Sequence, residues 1–384
     1  GSEMCIRDRS GTGQKCLTKN IEFCLNSTYS DKFMRHFWPV PDVSIGDDFL
    51  EKVGKQTIKF NNPPTIVDCA SIVGPKESQG PLAKYFDQTL DDEFWGEKTW
   101  EKAESKIIKE TVNTVISKSG IPTSEIDCMF AGDLLNQCIS SSFGLREENI
   151  PFFGVFGACS TFVESMILGS IAVEGFANNV LCATSSHFCS AEKQFRFPLE
   201  LGNQRPPSSQ WTVTGSGAAI LSKNGTGPYI THVTPGKIVD MGIKDANNMG
   251  AAMAPAFNDT LITHFLDTGR SPSYYDAIIS GDLGHIGKEI AIDLAKSQGY
   301  NIKSNYNDCG VLIFDKNSQD THSGGSGCGC CGTVFSGYFF KQLKQKKLKK
   351  ILLIATGALT NSTTSQQGES IPGIAVSYTH LRAH

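Results

Sequence analysis

Residues 152–161 of the chain are FFGVFGACST, an apolar run that ends at Gly157 and is followed by Cys159. A helical pattern comes next, because apolar residues recur at intervals of three and four from Val163 to Ile171. Unpaired backbone N–H groups at a strand-to-helix junction favour a thiolate or a bound anion. We therefore predict that Cys159 marks a nucleophile or an anion-binding pocket. The alternative is a buried small residue in a tight turn.

Two segments of the chain recur in the same order. Residues 126–134 and 275–283 are apolar runs that both end in Gly-Asp-Leu, and residues 178–184 are similar to residues 349–356. A turn rich in Gly and Cys and a helical stretch precede each member of the second pair. Two tandem units of strand, turn, helix and strand predict a duplicated α/β domain, with coincidence among short apolar strands as the weaker explanation.

Local patterns agree with this α/β architecture. Residues 100–118 form an amphipathic helical pattern, and Gly120 is a natural helix stop. Residues 211–221 have the pattern of a strand with a Gly-rich bend. Other runs carry few charges, as buried parallel strands do, at 126–131, 180–184, 275–280 and 350–356.

Composition excludes several classes of protein. The chain has 384 residues, 39% of them hydrophobic, and its net charge of −4 offers no basic field for nucleic acid. No apolar run reaches the roughly 18 residues that span a bilayer, and no segment is typical of a secretory signal. The 13 cysteines are irregularly spaced, which indicates reduced thiols in a cytosol.

The two ends of the chain differ from its body. Residues 1–52 show little periodicity, and residues 4–9 and 377–384 resemble translated sequencing adapter, which sets apart a leader, 1–52, and a tail, 376–384. We expect both segments to be foreign, with the natural start near Val53. The two halves of the duplicated domain are then residues 53–225 and 226–375.

Several motifs resemble the thiolase and ketoacyl synthase superfamily. They are the Cys before a buried helix, Ala-Thr-Ser-Ser-His at 183–187 and Gly-Ser-Gly-Ala at 215–218. The closer resemblance, over roughly residues 53–375, is to the stage V sporulation protein AD family of endospore-forming bacteria. The segments that carry it are 71–77, 80–82, 131–137, 156–161, 194–198, 214–217, 248–250, 252–255, 307–310, 324–330 and 369–375.

The resemblance implies both a fold and a role. The fold is α/β and thiolase-like, with two duplicated α/β halves in one compact layered domain, usually as a homodimer with strands near the Cys159 helix at the interface. The family is understood to bind dipicolinic acid, pyridine-2,6-dicarboxylate, and to take part in its entry into the developing spore. The implied location is the cytoplasmic side of the spore inner membrane, with membrane proteins of the same sporulation operon as partners.

Catalysis is not expected, because the superfamily's catalytic set is incomplete. Condensing enzymes pair the Cys with a His and a second His or Asn on loops of the second half. By repeat position the first loop is 280–283, which carries Asp282, and the second is 324–328, with His322 just ahead of it. An acid beside Cys159 disfavours a thiolate. We expect no catalytic residues and no cofactor; the alternatives are an acyl-thioester enzyme that uses Cys159 and a structural scaffold with a degenerate pocket.

The ligand-binding candidates follow from the chemistry of dipicolinate. The helix start at 159–161 can receive one carboxylate, and Arg196 can receive another. Asp133, Asp282 and Asp308 suit a calcium chelate of the ligand, or else they cap turns. The candidate ligand-binding residues are Cys159, His187, Arg196, Asp282, Asn307, Asp308, Gly325, Cys328 and Cys330.

Three other features have competing explanations. His187 could equally be a core histidine with satisfied hydrogen bonds. The cysteines at 328–331 lack the spacing of a structural zinc site, so small residues in a tight turn explain them better. The six lysines between 341 and 350 predict a solvated helix face, with a docking surface for anionic lipid or an acidic partner as the alternative.

Overall fold

A computed structural model describes residues 50–195 and 205–382 of the chain. The strands are β1 Leu50–Val53, β2 Thr57–Phe60, β3 Thr65–Val73, β4 Gln88–Thr89, β5 Cys128–Gly132, β6 Phe152–Gly154, β7 Asn179–Ser186, β8 Trp211–Thr212, β9 Gly215–Ser222, β10 Pro228–Thr234, β11 Ala277–Ser280, β12 Tyr306–Asp308, β13 Gly325–Ser326, β14 Lys350–Ala358 and β15 Gly373–Arg382.

Helices connect most of these strands. They are α1 Trp100–Ser119, α2 Ile139–Leu145, α3 Thr161–Gly175, α4 Phe188–Phe195, α5 Met249–Thr268, α6 Gly284–Ser297, α7 Cys309–Ile313, α8 Cys328–Val334, α9 Phe340–Lys344 and α10 Ser362–Gln366. A π-helical turn, Phe335–Phe339, joins α8 to α9.

The central sheet repeats one strand order twice. Its order is β12-β11-β14-β15-β10-β3-β9-β7-β5-β6. The strands of each half can be numbered one to five along the chain, as β3, β5, β6, β7 and β9 in the first half and β10, β11, β12, β14 and β15 in the second. From the central pair β10 and β3 outward, both halves then have the order one, five, four, two, three. The two Gly-Asp-Leu segments follow β5 and β11, which occupy equivalent positions. The prediction of a duplicated α/β fold is confirmed.

Strand direction brings the candidate residues to one edge of each half. β5 is parallel to β6 and β7, and β11 is parallel to β12 and β14. The carboxyl ends of parallel strands meet at the same edge of a sheet, which is where α/β proteins place their ligands. Asp133 follows β5 and Asp282 follows β11, so the repeat itself puts these residues at matching edges.

Helix α3 lies in the middle of the molecule. It packs against β5 and β7 of the first half and against β14 and β15 of the second. Its apolar residues surround the whole helix, as expected for a helix buried on all sides. Phe162, Met166 and Ile167 are among its buried side chains, each worth roughly 1.5–3 kcal/mol of burial. This packing holds the start of α3, and Cys159 before it, between the two halves.

The helix predicted at residues 100–118 is confirmed as α1, whereas the prediction of one bent strand at residues 211–221 is wrong. The Thr99 hydroxyl accepts from the Lys102 N–H at the start of α1, and Gly120 ends the helix with φ of 70°. Residues 211–221 are two strands in different sheets, because β8 pairs with β13 while β9 pairs with β3 and β7. The N–H of Thr214, between the two strands, binds the buried Glu77 carboxylate at 3.0 Å.

The closing residues of the chain take part in the sheet. β15 extends through residues 376–382 and lies between β14 and β10. Tyr378 and His380 on this strand are fully buried. The segment therefore has a structural place, and its foreign origin stays a prediction, as does that of the leader, most of which lies outside the described residues. In the described ranges, no helix combines the length and apolar character needed to cross a bilayer.

Candidate functional site

The loop before α3 is tightly braced around Cys159. Ala158 has φ of 51°, a left-handed conformation that is costly for a residue with a Cβ. The Ser160 hydroxyl donates to the Gly157 carbonyl at 2.7 Å, and the Thr161 hydroxyl donates to the Ala158 carbonyl at 2.6 Å. Such strain is held only where the surrounding structure determines it, which marks this loop as a candidate functional site.

The second half of the chain contacts this loop directly. A Cβ added at Gly357 on β14 would lie 2.3 Å from the Gly157 carbonyl oxygen. Ser326, from the second predicted loop, places its hydroxyl 3.9 Å from the Cys159 sulfur. Both elements come from the second half, so Cys159 lies where the two repeats meet.

Asp282, from the first predicted loop, is the charged group beside Cys159. Its carboxylate accepts hydrogen bonds from the Gly327 N–H at 2.8 Å, the Ser326 hydroxyl at 3.2 Å and the Thr356 hydroxyl at 3.0 Å. The Cys159 thiol donates to it as well. Burial raises the pKa of Asp282 to about 7 despite these donors. This carboxyl therefore titrates near neutrality.

The expectation that the helix start favours a thiolate is wrong for this cysteine. Burial raises the pKa of Cys159 well above its usual range, and the charge of Asp282 and its hydrogen bond to the thiol add to the effect. The Ser326 hydroxyl and the Gly327 N–H act in the opposite direction and lower the pKa, but burial and the Asp282 carboxyl outweigh them. The arrangement favours Cys159 as a neutral side chain.

The other two predicted aspartates cap turns. Asp133 accepts from the Leu135 N–H at 2.8 Å and from the Ser141 N–H at 2.7 Å. Asp308 accepts from the N–H groups of three residues and from one hydroxyl, namely Leu283, Gly284, Val311 and Ser280. In residues 50–195 and 205–382, no cluster of three or more His, Cys, Asp or Glu side chains could hold a metal ion.

The Gly/Cys-rich segment packs behind Asp282 as strand β13 and the start of helix α8. Cys328 donates its thiol to the Ser185 carbonyl at 3.0 Å, and Cys330 donates to the Gly281 carbonyl at 3.7 Å. A Cβ at Gly325 would lie 2.8 Å from the Ile313 side chain. The prediction that small residues pack closely here is met, but Cys328 and Cys330 lie in the short helix α8 and not in a tight turn. The strand before this helix carries Ser326 to Cys159.

Other predicted residues have partners elsewhere or lie outside the described ranges. One nitrogen of His187 lies 2.8 Å from the Glu93 carbonyl oxygen, and the other accepts from the Cys189 N–H at 3.2 Å. Asn307 is exposed on the edge strand β12. His322 lies 3.4 Å from Asp320 and lines a separate cavity. Arg196 lies outside the described residues, so its role stays a prediction.

The lysine-rich helix has its own partners. Lys344 pairs with Asp68 at 3.0 Å, and Lys341 lies 3.6 Å from Asp87. Lys346, Lys347 and Lys349 are exposed in the turn that follows α9. These contacts agree with a solvated face, since two of the six lysines are neutralised by aspartates.

A cavity of about 510 Å³ opens next to the Cys159 loop. Its lining includes Phe156, three residues before Cys159, and Leu134, which would be 3.3 Å from a Cβ at Gly327. Cys159 itself is not among the lining residues and is 6% exposed. The remaining lining residues are Asn136, Lys193, Gln194, Leu359, Thr360, Asn361, Ser362 and Gln366. The cavity wall is thus largely neutral and polar.

Strained backbone also marks the rim of this cavity. Gln137 and Cys138 have φ of 62° and 52°, directly after the lining residue Asn136. The Asn136 N–H donates to the Gln194 side chain at 3.2 Å, which ties the rim to α4. Lys193 and Asn361 belong to no motif that the sequence pointed to. Asn136 and Gln194 could have been found from the sequence, because both lie inside segments that carry the family resemblance.

The fold and the buried Cys at a helix start define a class of protein, the thiolase-like condensing-enzyme fold. OleA from Xanthomonas campestris, in a structure with cerulenin, superposes with a TM-score of 0.53 at 11% identity, covering 87% of this chain and 99% of that one. The tetronic acid condensing enzyme AbyA1 also gives 0.53 at 11% identity, covering 83% and 99%. At this identity the likeness concerns the fold alone.

The family is decided by sequence. The chain belongs to the stage V sporulation protein AD (SpoVAD) family, whose sequence model matches residues 54–379. The stage V sporulation protein AD of Bacillus subtilis (strain 168) is 43% identical over 327 residues, which are 85% of this chain and 96% of that protein. The predicted family is confirmed, and the chain has a role in sporulation.

Proposed function

We propose that this protein binds dipicolinate in the cavity beside Cys159 and serves dipicolinate uptake into the forespore without catalysing acyl transfer. One observation carries the proposal. Asp282 occupies the position that faces Cys159, where condensing enzymes place a proton-transfer residue, and it keeps the thiol protonated beneath a neutral polar cavity. A site of this kind binds a polar ligand better than it activates a thioester.

The cavity suits the shape and charge of dipicolinate. The ligand has about a dozen heavy atoms, a size for which a few directed polar contacts can give useful affinity. Asn136, Gln194 and Asn361 offer amide groups to its carboxylates, and the ring of Phe156 offers a face to the pyridine. Lys193 adds a positive charge to the wall.

The sequence-predicted residues then have two kinds of role. Cys159, Asp282, Gly325, Cys328 and Cys330 do not line the cavity, and we propose that they act by fixing the loops next to it. Arg196 remains part of the proposal as a second cation, while His187, Asn307 and Asp308 are proposed to act only through the fold. The membrane proteins of the same operon remain the proposed partners at the spore inner membrane.

The proposal also concerns whether calcium binds together with dipicolinate. The carboxylates of Asp133, Asp282 and Asp308 already accept hydrogen bonds from N–H or hydroxyl groups of the chain. A calcium chelate would have to displace these donors before it could use the same oxygens. We therefore propose that the metal-free dianion is the form that binds.

Calorimetric titration with dipicolinate tests the proposal. We expect micromolar binding, about −8 kcal/mol, since a small dianion gains most from a few polar contacts. Added calcium should lower the concentration of free ligand and weaken apparent binding. Isophthalate, which has both carboxylates but no ring nitrogen, is the matched control. Absence of heat and of ligand retention in dialysis would overturn the proposed function.

The alternative is an acyl-thioester enzyme, favoured by the fold of its structural neighbours and by Cys159 at the start of α3. We expect neither cleavage of acetoacetyl-CoA nor condensation of acetyl-CoA, because a missing general acid–base group typically costs about 10²–10⁴-fold. The assay follows thiol release by the purified protein. Turnover that disappears in Cys159→Ala would establish the enzyme instead.

A further inference from the structure

In the described part of the chain, an ion pair joins the wall of the proposed ligand cavity to α1. The Lys193 ammonium, on α4, donates to the Glu101 carboxylate in the first turn of α1. Lys193 lines the cavity beside Cys159, whereas Glu101 lines a separate groove of about 830 Å³ between α1 and α2. The lysine therefore lies between an acidic partner on one side and the proposed ligand space on the other.

Lys193 is the cation that this cavity offers within the described residues. The other lining side chains in residues 50–195 and 205–382 are amides, hydroxyls and apolar groups. Asp282 and Asp133 lie buried nearby and would oppose a dianion wherever they are ionised. A doubly negative ligand needs a compensating positive charge, because desolvating an unpaired carboxylate is costly.

The ion pair is exposed enough to exchange partners. The side chains of Lys193 and Glu101 are 33% and 36% exposed, so water already solvates part of each charge. Exposed pairs of this kind contribute little to stability. The Lys193 ammonium also lies 5.5 Å from the centre of the Trp100 ring, a contact that helps to hold the lysine in this region of the wall.

We propose that Lys193 binds a carboxylate of the ligand and that Glu101 is the internal anion with which this carboxylate competes. The inference rests on the proposed function and adds the residue that carries charge recognition. In the empty cavity Glu101 holds the ammonium. On binding, the ligand carboxylate takes its place, so the strength of the ion pair limits the affinity.

The competition predicts opposite effects for the two partners. Lys193→Gln should raise the Kd for dipicolinate about 10-fold or more, since a charge-assisted hydrogen bond is lost. Glu101→Gln should lower the Kd about 2–5-fold, because the lysine no longer has to leave an ion pair of modest strength. In the double variant the gain from Glu101→Gln should vanish, because the freed cation is absent.

Dialysis of the full chain against dipicolinate measures these Kd values. Lys102→Gln and Glu110→Gln are the matched controls, since both residues line the neighbouring groove and their substitution removes one positive and one negative charge, as in the test variants. If Lys193→Gln and Glu101→Gln match these controls while the wild type binds, the inference is overturned and the proposed function stands. If the wild type does not bind, the proposed function itself fails. A lower Kd for Glu101→Gln that persists in the double variant would also overturn the inference.

Discussion

Asp282 is the residue that most distinguishes this site from a thiolate-based one. Its carboxylate receives N–H and hydroxyl donors from two different loops, yet burial keeps its pKa at about 7, far above the ordinary value of 3.8. The folded state therefore holds a proton that the unfolded chain has already released between these two pH values. The free energy of unfolding must therefore fall as the pH rises from 3.8 to about 7, and the contribution of Asp282 is constant above that range.

Asp282→Asn should remove this pH dependence. The amide keeps one oxygen for Ser326 and Gly327, and the Thr356 hydroxyl can turn to accept from its NH₂ group. We expect the variant to gain on the wild type by up to about 4 kcal/mol from pH 4 to pH 8, because the pKa of Asp282 is raised by about three units and each unit is about 1.4 kcal/mol. Urea unfolding at several pH values measures the free energy of unfolding of the variant and of the wild type. Asp91→Asn, at an exposed carboxylate, is the control; parallel pH profiles for Asp282→Asn and wild type would contradict the assignment.

Strand β14 is the element that couples the two halves at the site. Its Gly357 approaches the Gly157 carbonyl so closely that a methyl group has no room, and the same Cβ would lie 3.3 Å from that of Ala158. Two backbones in contact cannot yield as a flexible side chain can. The position of the Cys159 loop thus depends on a strand nearly 200 residues away in the sequence.

Gly357→Ala should therefore destabilise the protein by about 1–3 kcal/mol, the usual cost of overpacking, and should also weaken dipicolinate binding. Gly175→Ala is the matched control, because nothing lies within 4 Å of the added methyl at the end of α3. That control should be neutral or slightly stabilising. Equal denaturation midpoints for the two variants would show that the β14 contact is not tight.

At the scale of the whole molecule, one edge of the central sheet is open and aromatic. β6 is the last strand on its side of the sheet in the described residues, and Phe152, Phe153 and Phe156 are 39%, 49% and 54% exposed. An unpaired edge with exposed aromatic side chains is a site for strand pairing with a second copy. Since Phe156 also lines the cavity, a partner copy at this edge would stand beside the ligand.

We expect a homodimer through β6. Light scattering should give about twice the monomer mass of 41.6 kDa at micromolar concentration. Phe152→Glu should shift the protein towards monomer, because a charge would be buried at the centre of the contact. Phe176→Glu is the control, since Phe176 is 72% exposed at the far end of α3. A wild-type monomer, or equal masses for both variants, would argue against this interface.

Much of the site could be predicted from the repeat alone. Equivalent positions in the two halves indicated that loops 280–283 and 324–328 face Cys159, and the structure places both loops there. The contribution of Thr356 and the close approach of Gly357 carried no local signal. Each depends on how β14 pairs with its neighbours, which no spacing within a short window records.

The sequence by itself determined the duplicated fold, the family and the place of Cys159, because periodicity, repeat order and motifs are local properties of the chain. Only the tertiary structure decided how deeply Cys159 is buried and that Lys193 stands in the cavity wall. The sequence predicted that an acid at residue 282 disfavours a thiolate, and the structure agrees, but burial is the larger cause of the raised pKa and no local pattern records it. Likewise Lys193 and Glu101 are 92 residues apart in the chain, and folding alone makes them partners.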